Sequence, residues 1–561
     1  MSTTLRDSAG ARWTALILLS FAMFCSYIFM DILSPIKDLL ESTRGWDSRA
    51  FGTYAGSETF LNVFIFFLII AGIILDKMGV RFTAILSGIV MLIGAVINWY
   101  AVTEMFMGSS IETWFNNNLN YIPGFDELGV SPFYRGMPAS AKFSVVGFMI
   151  FGCGVEMAGI TVSRGIVKWF KGKEMALAMG SEMALARLGV ATCMIFSPAF
   201  ARMFGKVDVS RSVAFALVLL MIAMIMFVVY FFMDKKLDVQ TGESEEKEDP
   251  FKISDIGRIL TSSGFWLVAL LCVLYYSAIF PFQKYAVNML QSNLGVSGAI
   301  EIPFYEKIIT FIIMLVVAIT AFMSNFNKSK TKKTILLLIS CIFLFIFCYR
   351  AYAQQSAETI FSVFPLLAVG ITPILGNFVD RKGKAATMLI FGSVLLILCH
   401  LTFAYVLPLF RPEVGQVASP GGFILAFLTI LVLGASFSLV PASLWPSVPK
   451  LVDNKVIGSA YALIFWIQNI GLWLFPTLFG SILKSSNTDL IQKVEQGILT
   501  KEQASVMYDY STPMFMFAML GVAALILGVI LKMIDKKKNY GLELPNIVKE
   551  TEVIESEIRD M

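Results

Sequence analysis

Two ionisable residues, Glu156 and Arg187, lie deep inside long apolar stretches of this 561-residue sequence. Glu156 precedes Val167 by eleven residues, and Arg187 follows Lys173 by fourteen. With a helix rise of about 1.5 Å per residue, both would lie about 16–21 Å from the connection between the two stretches. A carboxylate suits an ammonium group, and a guanidinium fork suits a carboxylate. The two side chains therefore either bridge to each other or hold opposite ends of a zwitterion.

Other polar side chains in the apolar stretches could surround the same space. Asp31, Glu58 and Lys284 either line the outer half of a cavity or lie at an interface, where the long Lys284 side chain would extend outward. Aromatic walls with few polar anchors suit a pocket that accepts varied groups. The candidates of this kind are Tyr27, Tyr54, Tyr275, Tyr276, Trp445, Tyr461, Gln468 and Asn469.

Catalytic and cofactor signatures are missing from the sequence. It contains no GxSxG or HExxH motif and no phosphate-binding glycine loop, and its seven cysteines form no CxxC pair. His400 is the only histidine, so proton coupling, if it occurs, would use Asp31, Glu58 or Glu156. We therefore expect that the protein is not an enzyme and binds neither a metal nor a cofactor. A net charge of +4 with basic residues at helix ends also predicts no nucleic-acid partner.

The elements that would position these residues are helices crossing a lipid bilayer. Hydrophobic residues make up 57% of the chain and charged residues only 15%, where a soluble domain has about 25% charged residues. Apolar runs of about 18 or more residues can cross a hydrocarbon core about 30 Å thick. Helices satisfy the hydrogen-bonding groups of the backbone there. The predicted spans number fourteen: 13–33, 49–75, 81–101, 141–166, 174–203, 209–233, 264–291, 304–325, 333–352, 357–378, 383–409, 421–446, 455–484 and 512–534.

Lysine and arginine concentrate in alternate connections, which predicts cytoplasmic N- and C-termini in a cell inner membrane. We expect an all-α membrane protein with two six-helix bundles, at 1–236 and 264–534. The two are joined by a cytoplasmic linker at 237–263. The pair at about 304–352 carries no ionisable group in its apolar runs, which predicts a peripheral lipid-facing hairpin. Residues 535–561 are predicted to form a solvated cytoplasmic tail.

A repeated loop motif follows the second span and recurs in the second half. The first copy consists of Gly72, Asp76, Lys77, Gly79 and Arg81. Its echo consists of Gly376, Asp380, Arg381, Gly383 and Lys384. Glycine permits a tight turn and close helix packing, and the aspartate can pair with basic groups or helix ends. The motif predicts a latch that holds one conformation, and its two matching positions resemble the loop signature of the major facilitator superfamily.

A narrower resemblance is carried by GCGVE (152–156), WFKGKE (169–174) and ARLG (186–189). Together with stretches at 270–285, 376–384 and 443–471, they resemble the family called major facilitator superfamily domain-containing protein 1. The match reaches both halves. The long outward loop at 102–140 and the helix pair at 304–352 depart from it.

The resemblance implies a major facilitator fold and a carrier of dipeptides, in which Glu156 and Arg187 fit the substrate termini. We therefore expect alternating-access transport of a short peptide by a monomer. An organic anion or an amino sugar is an alternative cargo, although acidic groups here match or exceed basic ones. A non-transporting membrane sensor is an alternative class, and loss of the charged pair or of both loop motifs would have favoured it.

Overall fold

The computed structural model describes residues 4–123, 125, 131–171, 173–241, 253–296, 302–327, 329–413, 415–452 and 457–545. Within these ranges the secondary structure is helical, as predicted. The α-helices are α1 Ala9–Asp31, α2 Lys37–Arg44, α3 Ser48–Ser57, α4 Phe60–Phe64, α5 Phe67–Ala101, α6 Ser110–Asn118, α7 Ala139–Trp169, α8 Met175–Ala201, α9 Val209–Thr241, α10 Ile253–Leu260, α11 Ser263–Leu294, α12 Phe304–Phe326, α13 Lys330–Ala353, α14 Ala357–Lys382, α15 Ala385–Leu401, α16 Pro420–Leu451, α17 Ile457–Ser486, α18 Thr488–Glu495, α19 Lys501–Ser505 and α20 Ser511–Lys538.

Thirteen stretches of the described chain are helical, long and apolar enough to cross a membrane, against fourteen predicted spans. The predicted continuous helix at 49–75 is wrong, because this segment is divided into α3, α4 and the start of α5. α5 then continues through the first loop motif and into the next span, with a sharp bend at Gly79, where φ is 79°. Only glycine adopts that backbone conformation without strain. The count of fourteen stays a prediction.

Each half packs its helices through small residues. In the first half, a Cβ atom at Gly94 of α5 would lie 2.5 Å from the carbonyl oxygen of Gly147 in α7. In the second half, a Cβ at Gly264 of α11 would lie 2.9 Å from the carbonyl oxygen of Leu451, at the end of α16. Such close approaches let helices associate in lipid through backbone contact, where no hydrophobic force drives them together.

The two loop motifs lie at one end of the molecule, here called the motif face, and the other end is the opposite face. Between the central cavity and the opposite face, the halves meet where α3 packs against α17. A Cβ at Gly56 would lie 2.3 Å from the carbonyl oxygen of Trp473, and one at Gly52 would lie 2.3 Å from that of Pro476. The hydroxyl of Tyr285 also donates to the carbonyl of Ser48 across this junction, at 3.1 Å.

The hairpin formed by α12 and α13 lies at the periphery. Its outward residues include Phe345 and Ile342, which are 73% and 58% exposed. A peripheral position does not separate the hairpin from the first bundle. α12 packs against α8 of the first half through Phe196, whose ring centroid is 5.3 Å from that of Phe311. At the end on the opposite face, Glu306 forms an ion pair with Arg350 of α13.

The helices extend into the predicted linker and tail. α9 runs to Thr241 and α10 occupies Ile253–Leu260, so both ends of the 237–263 segment are helical where the structure describes them. The expectation of a solvated tail is wrong for its first part, because α20 continues to Lys538 and Leu542 is fully buried. The rest of the tail, 546–561, lies outside the described residues. Helix α6, Ser110–Asn118, lies within the long loop at 102–140.

Candidate substrate cavity

A cavity of about 320 Å³ lies between the two halves. Ten of the thirteen predicted binding residues line it: Tyr27, Asp31, Glu58, Glu156, Arg187, Tyr276, Lys284, Trp445, Gln468 and Asn469. They come from both halves of the chain, as in transporters whose substrate site lies between two helical bundles.

Glu156 is positioned by close packing one turn earlier in α7. A Cβ at Gly152 would lie 1.8 Å from the carbonyl oxygen of Glu58, so at this point α7 lies directly against the break between α3 and α4. The Glu156 carboxylate then borders the cavity and accepts a hydrogen bond from Nδ2 of Asn469, at 3.4 Å. This single neutral donor leaves capacity on the carboxylate for a ligand cation.

Arg187 is held among aromatic rings rather than by a carboxylate. Its guanidinium carbon lies 5.8 Å from the ring centroid of Tyr27, 5.2 Å from that of Phe280 and 4.9 Å from that of Phe437. Gly189 brings α8 against α1, since a Cβ there would lie 2.4 Å from the carbonyl oxygen of Phe24. Ring faces attract a cation and leave its N–H groups available for an acceptor.

The alternative in which Glu156 and Arg187 bridge to each other is not what the structure shows. Among the described residues there is no ion pair or hydrogen bond between these two side chains. Both border the same cavity, and each has its own neutral or aromatic support. The pair is therefore open in this conformation, and an anion and a cation could be accepted at separate points.

Asp31 and Lys284 close the cavity toward the opposite face. Lys284 Nζ lies 3.0 Å from Asp31 Oδ1 and donates to the carbonyl of Met30 at 2.7 Å. Gln283 donates to the other carboxylate oxygen of Asp31, at 2.6 Å. The alternative of an outward-extending Lys284 is thereby excluded, because its side chain is buried between the halves. This ion pair joins the end of α1 to the middle of α11.

Three predicted aromatic residues do not line the cavity. Tyr54 is 3% exposed and stacks on Phe148 with a centroid separation of 4.5 Å. Tyr275 is fully buried and donates to the carbonyl of Leu389. Tyr461 lies behind Trp445, whose carbonyl it contacts at 3.3 Å. Aromatic type alone did not reveal which face of a helix each residue occupies.

Several lining residues were missed by the sequence prediction. They include Met30, Thr59, Met183, Phe280, Gln283 and Phe465. Gln283 could have been found, because it is polar and adjacent to Lys284 within an apolar run. Methionine and phenylalanine carry no such signal, since both are abundant in every span.

The cavity carries both signs of charge. Three acidic residues, Asp31, Glu58 and Glu156, face two basic residues, Arg187 and Lys284, so the formal sum is two minus three, or −1. Glu58 makes no ion pair or hydrogen bond with another described side chain. A cavity with separated charges of opposite sign and a near-zero sum favours a zwitterion over an anion.

The first loop motif forms an ionic network on the motif face. Arg164 of α7 lies 2.6 Å from Asp76, and Arg81 lies 2.6 Å from Asp238 of α9. A neighbouring carboxylate, Asp234, is fully buried, lies 2.6 Å from Lys168 Nζ and accepts from Trp169 Nε1 at 2.8 Å. Gly72 has open space beside it and Lys77 is exposed, so these two contribute less to the packing.

The second loop motif is covered by the chain's own C-terminal segment. Gly383 has φ of 71°, and a Cβ there would lie 2.4 Å from the carbonyl oxygen of Glu543. The Glu543 carboxylate accepts from the backbone N–H of Thr387 at 2.9 Å and from its hydroxyl at 2.7 Å. Arg381 is exposed, and Gly376 has open space beside it. The two halves thus stabilise equivalent loops by different means.

A central cavity between two helical bundles, with paired loop motifs on one face, is the architecture of a membrane transporter. The profile described as Major Facilitator Superfamily matches residues 19–358. The chain belongs to that superfamily.

Curated relatives are more specific. The chain is 23% identical to the lysosomal dipeptide transporter MFSD1 of Danio rerio over 486 residues, which cover 84% of this chain and 80% of the relative. It is 22% identical to the protein of that name from Homo sapiens over 347 residues, or 60% of this chain and 59% of the relative. The chain therefore spans less than two thirds of the human relative.

Solved structures share the fold at low sequence identity. The nucleoside transporter NupG aligns with a TM-score of 0.56 and 13% identity, covering 92% of this chain and 98% of that one. A bacterial homologue of the human lysosomal transporter Spinster aligns with a TM-score of 0.56 and 11% identity, covering 94% and 98%. These likenesses establish the architecture.

Proposed function

We propose that this protein transports short peptides, dipeptide-like zwitterions, with the amino terminus near Glu156 and the carboxylate at Arg187. The observation that carries the proposal is the open pair: two opposite charges border one cavity and are not bonded to each other. Charges at membrane depth are costly unless they are paired or solvated. A ligand that supplies both partners would offset that cost.

The aromatic surroundings of Arg187 support a carboxylate ligand. Guanidinium groups bind carboxylates through two parallel hydrogen bonds, and the flanking rings hold the group in place without consuming its donors. Tyr276 and Trp445 form the wall on the second half, where the indole N–H donates to the Tyr276 hydroxyl at 3.1 Å. Such a wall accommodates side chains of differing size.

The arrangement of the halves supports alternating access. Contacts between α3 and α17, together with the Asp31–Lys284 pair, seal the route toward the opposite face. The cavity lies on the other side of this seal. With basic residues concentrated on the motif face, we place that face in the cytoplasm of a cell, with the protein in its inner membrane and both termini cytoplasmic. The conformation is then inward-facing.

The name of the curated relatives, lysosomal dipeptide transporter, agrees with the proposed cargo class. Compositional arguments agree as well, since an anion carrier would place more than one unpaired cation in the cavity. Here Lys284 is already neutralised by Asp31, which leaves Arg187 as the lining cation with no described acidic residue within ion-pair distance.

The test is binding of a dipeptide, its N-acetyl form and its C-terminal amide to the purified protein, measured by thermal shift and calorimetry. Binding raises stability by mass action. We expect the free dipeptide to bind and both capped forms to bind more weakly. If capping either end leaves the affinity unchanged, the two-ended site is wrong. If carboxylates or amino sugars bind and peptides do not, the cargo belongs to another class.

A further inference from the structure

A second and larger cavity, of about 900 Å³, lies on the opposite face, away from the substrate cavity. It lies where the end of α8, the beginning of α12 and the beginning of α14 meet. The first half contributes Arg202, the hairpin contributes Phe304 and Lys307, and the second half contributes Glu358. The proposed peptide site uses none of these residues.

Lys307 is the unusual member of this group. The residue is only 4% exposed, yet its ammonium forms no ion pair or hydrogen bond with any residue that the structure describes. Glu358 acts on this ammonium electrostatically, but from beyond ion-pair distance. A buried cation without a contacting partner is strongly unfavourable. Because Lys307 lies on the lining of the cavity, a ligand there could supply the missing negative charge.

The other charged groups around the cavity are already engaged or only loosely paired. The Glu358 carboxylate accepts a hydrogen bond from the Ser356 hydroxyl at 2.9 Å. Arg411 donates to the carbonyl of Tyr508 at 2.9 Å. Arg202 lies 3.9 Å from Asp38, beyond hydrogen-bond distance, so its donors are not satisfied by that carboxylate.

We propose that this cavity binds an anionic phosphate group between Lys307 and Arg202. A phosphate has enough oxygens to accept from an ammonium and a guanidinium at once, and the positive end of the 23-residue helix α12 adds to the attraction. The phosphate belongs either to a lipid headgroup or to a soluble phosphate ester. The apolar lining residues Pro198, Phe304 and Val296 suit the acyl portion of an amphiphile.

The site has a consequence for the halves. Arg202 lies in the first half, whereas Lys307 and Glu358 belong to the hairpin and the second half. A phosphate held between Arg202 and Lys307 would bind this closed arrangement of the opposite face more tightly than one in which the halves separate. The inserted helix pair thereby acquires a role that a purely lipid-facing hairpin would lack.

The experiment is a thermal-shift titration of the full-length detergent-solubilised protein with phosphatidylglycerol, phosphatidylcholine, glycerol 3-phosphate or inorganic phosphate. We expect phosphatidylglycerol or a soluble phosphate to raise the melting temperature saturably. Phosphatidylcholine should raise it less, because its choline ammonium offsets the charge of its phosphate. A shift from the lipid alone identifies a headgroup, and an equal shift from glycerol 3-phosphate identifies a soluble ester.

The variant that tests the residue is Lys307→Met, which keeps most of the length of the side chain and removes a buried charge that has no contacting partner. It should fold at least as well as wild type. Its apparent affinity for phosphate, taken from the concentration dependence of the melting-temperature shift, should fall about tenfold or more. The matched control is Lys332→Met at an exposed position of α13, which should retain the shift. An unchanged shift in Lys307→Met, or no anion-dependent shift in wild type, would overturn the proposal.

Discussion

At the residue scale, the function proposed here depends on two charges that do not neutralise each other. Glu156 has one amide donor and Arg187 has three aromatic rings around it. Those supports fix each group in place while leaving its charge available. The same two residues, bonded to each other, would only have tied α7 to α8.

Arg187→Ala should reduce dipeptide affinity about ten- to a hundred-fold, since a hydrogen bond to a charged group contributes roughly 1.5–3 kcal/mol. Glu156→Gln should weaken peptides with a free amino terminus most and acetylated peptides least. Calorimetric titration measures both effects. Arg135→Ala and Glu495→Gln, at exposed positions away from the cavity, serve as controls that retain wild-type affinity. Equal losses for free and acetylated peptides in Glu156→Gln would contradict its assigned role.

A second prediction concerns two ion pairs that join the halves with different burial. The side chain of Asp31 is fully buried and that of Lys284 is 10% exposed, whereas Lys484 and Asp47 are 41% and 30% exposed. Asp31→Asn leaves a buried ammonium unpaired, and we expect a loss of about 3–5 kcal/mol in stability. Asp47→Asn should cost at most about 1 kcal/mol.

Thermal unfolding in one detergent measures the stability of both variants relative to wild type. Adding Lys284→Met to Asp31→Asn should restore part of the lost stability, because no buried charge then lacks a partner. If the two single variants melt at the same temperature, burial does not determine the strength of these pairs.

At the scale of the elements, the repeated loops differ in how they are stabilised. The first loop uses the Asp76–Arg164 ion pair at 2.6 Å. The second is packed beneath Glu543 and its neighbours in the C-terminal segment. Similar sequence motifs therefore do not require identical contacts.

Asp76→Asn should slow transport while leaving peptide affinity within a few fold, because the latch shifts a balance between two conformations and does not contact cargo. Asp380→Asn should behave in the same way. Uptake into proteoliposomes and binding in detergent separate the two quantities. Asp489→Asn, exposed on α18, is the control. Parallel losses of rate and affinity would place the loop motif in the binding site instead.

The second loop offers a matched pair of glycines. Gly383→Ala should destabilise the protein, because φ is 71° and the new methyl would lie 2.4 Å from the Glu543 carbonyl oxygen. Gly376→Ala meets nothing within 4 Å and should be neutral or slightly stabilising. Melting temperatures and protease sensitivity near residue 543 report the difference. Equal behaviour of both variants would show that the C-terminal segment does not hold this loop.

At the scale of the whole molecule, the conformation is set by how closely the halves approach near the opposite face. Gly56 and Gly52 permit backbone contact between α3 and α17. A methyl group at Gly56 would lie 2.3 Å from a backbone oxygen that cannot rotate away. Gly56→Ala should therefore disfavour this closed arrangement and shift the population toward the alternate state.

Labelling of Met183→Cys measures that shift, because Met183 lines the cavity and is 50% exposed. The protein also carries Cys341→Ser, which removes an exposed native thiol. In oriented vesicles, a membrane-impermeant thiol reagent should react with the Met183→Cys variant from the side of the motif face. With Gly56→Ala added, that reaction should slow and reaction from the other side should increase. Gly257→Ala, with open space around it, is the control. Unchanged labelling in a folded Gly56→Ala protein would argue against a seal at this contact.

The sequence by itself determined the membrane class, most of the helices and the two loop motifs, because apolar length and glycine–aspartate spacing are local properties. It also indicated Glu156 and Arg187, since charge within an apolar span is rare and costly. Local pattern failed at 49–75, where the composition predicts one continuous helix. The segment is instead divided into shorter helices, and its backbone is in close contact with α7 and α17.

Only the tertiary structure decided which residues face the cavity and how the charges are paired. Tyr54 and Tyr27 belong to the same residue type, yet Tyr54 stacks on Phe148 while Tyr27 flanks Arg187. The choice between a Glu156–Arg187 bridge and an open pair depends on where Asn469 and Phe437 lie. Asn469 is 313 residues beyond Glu156 along the chain, and Phe437 also lies in the second half. Distances between such remote segments are set by packing between helices, which no local pattern encodes.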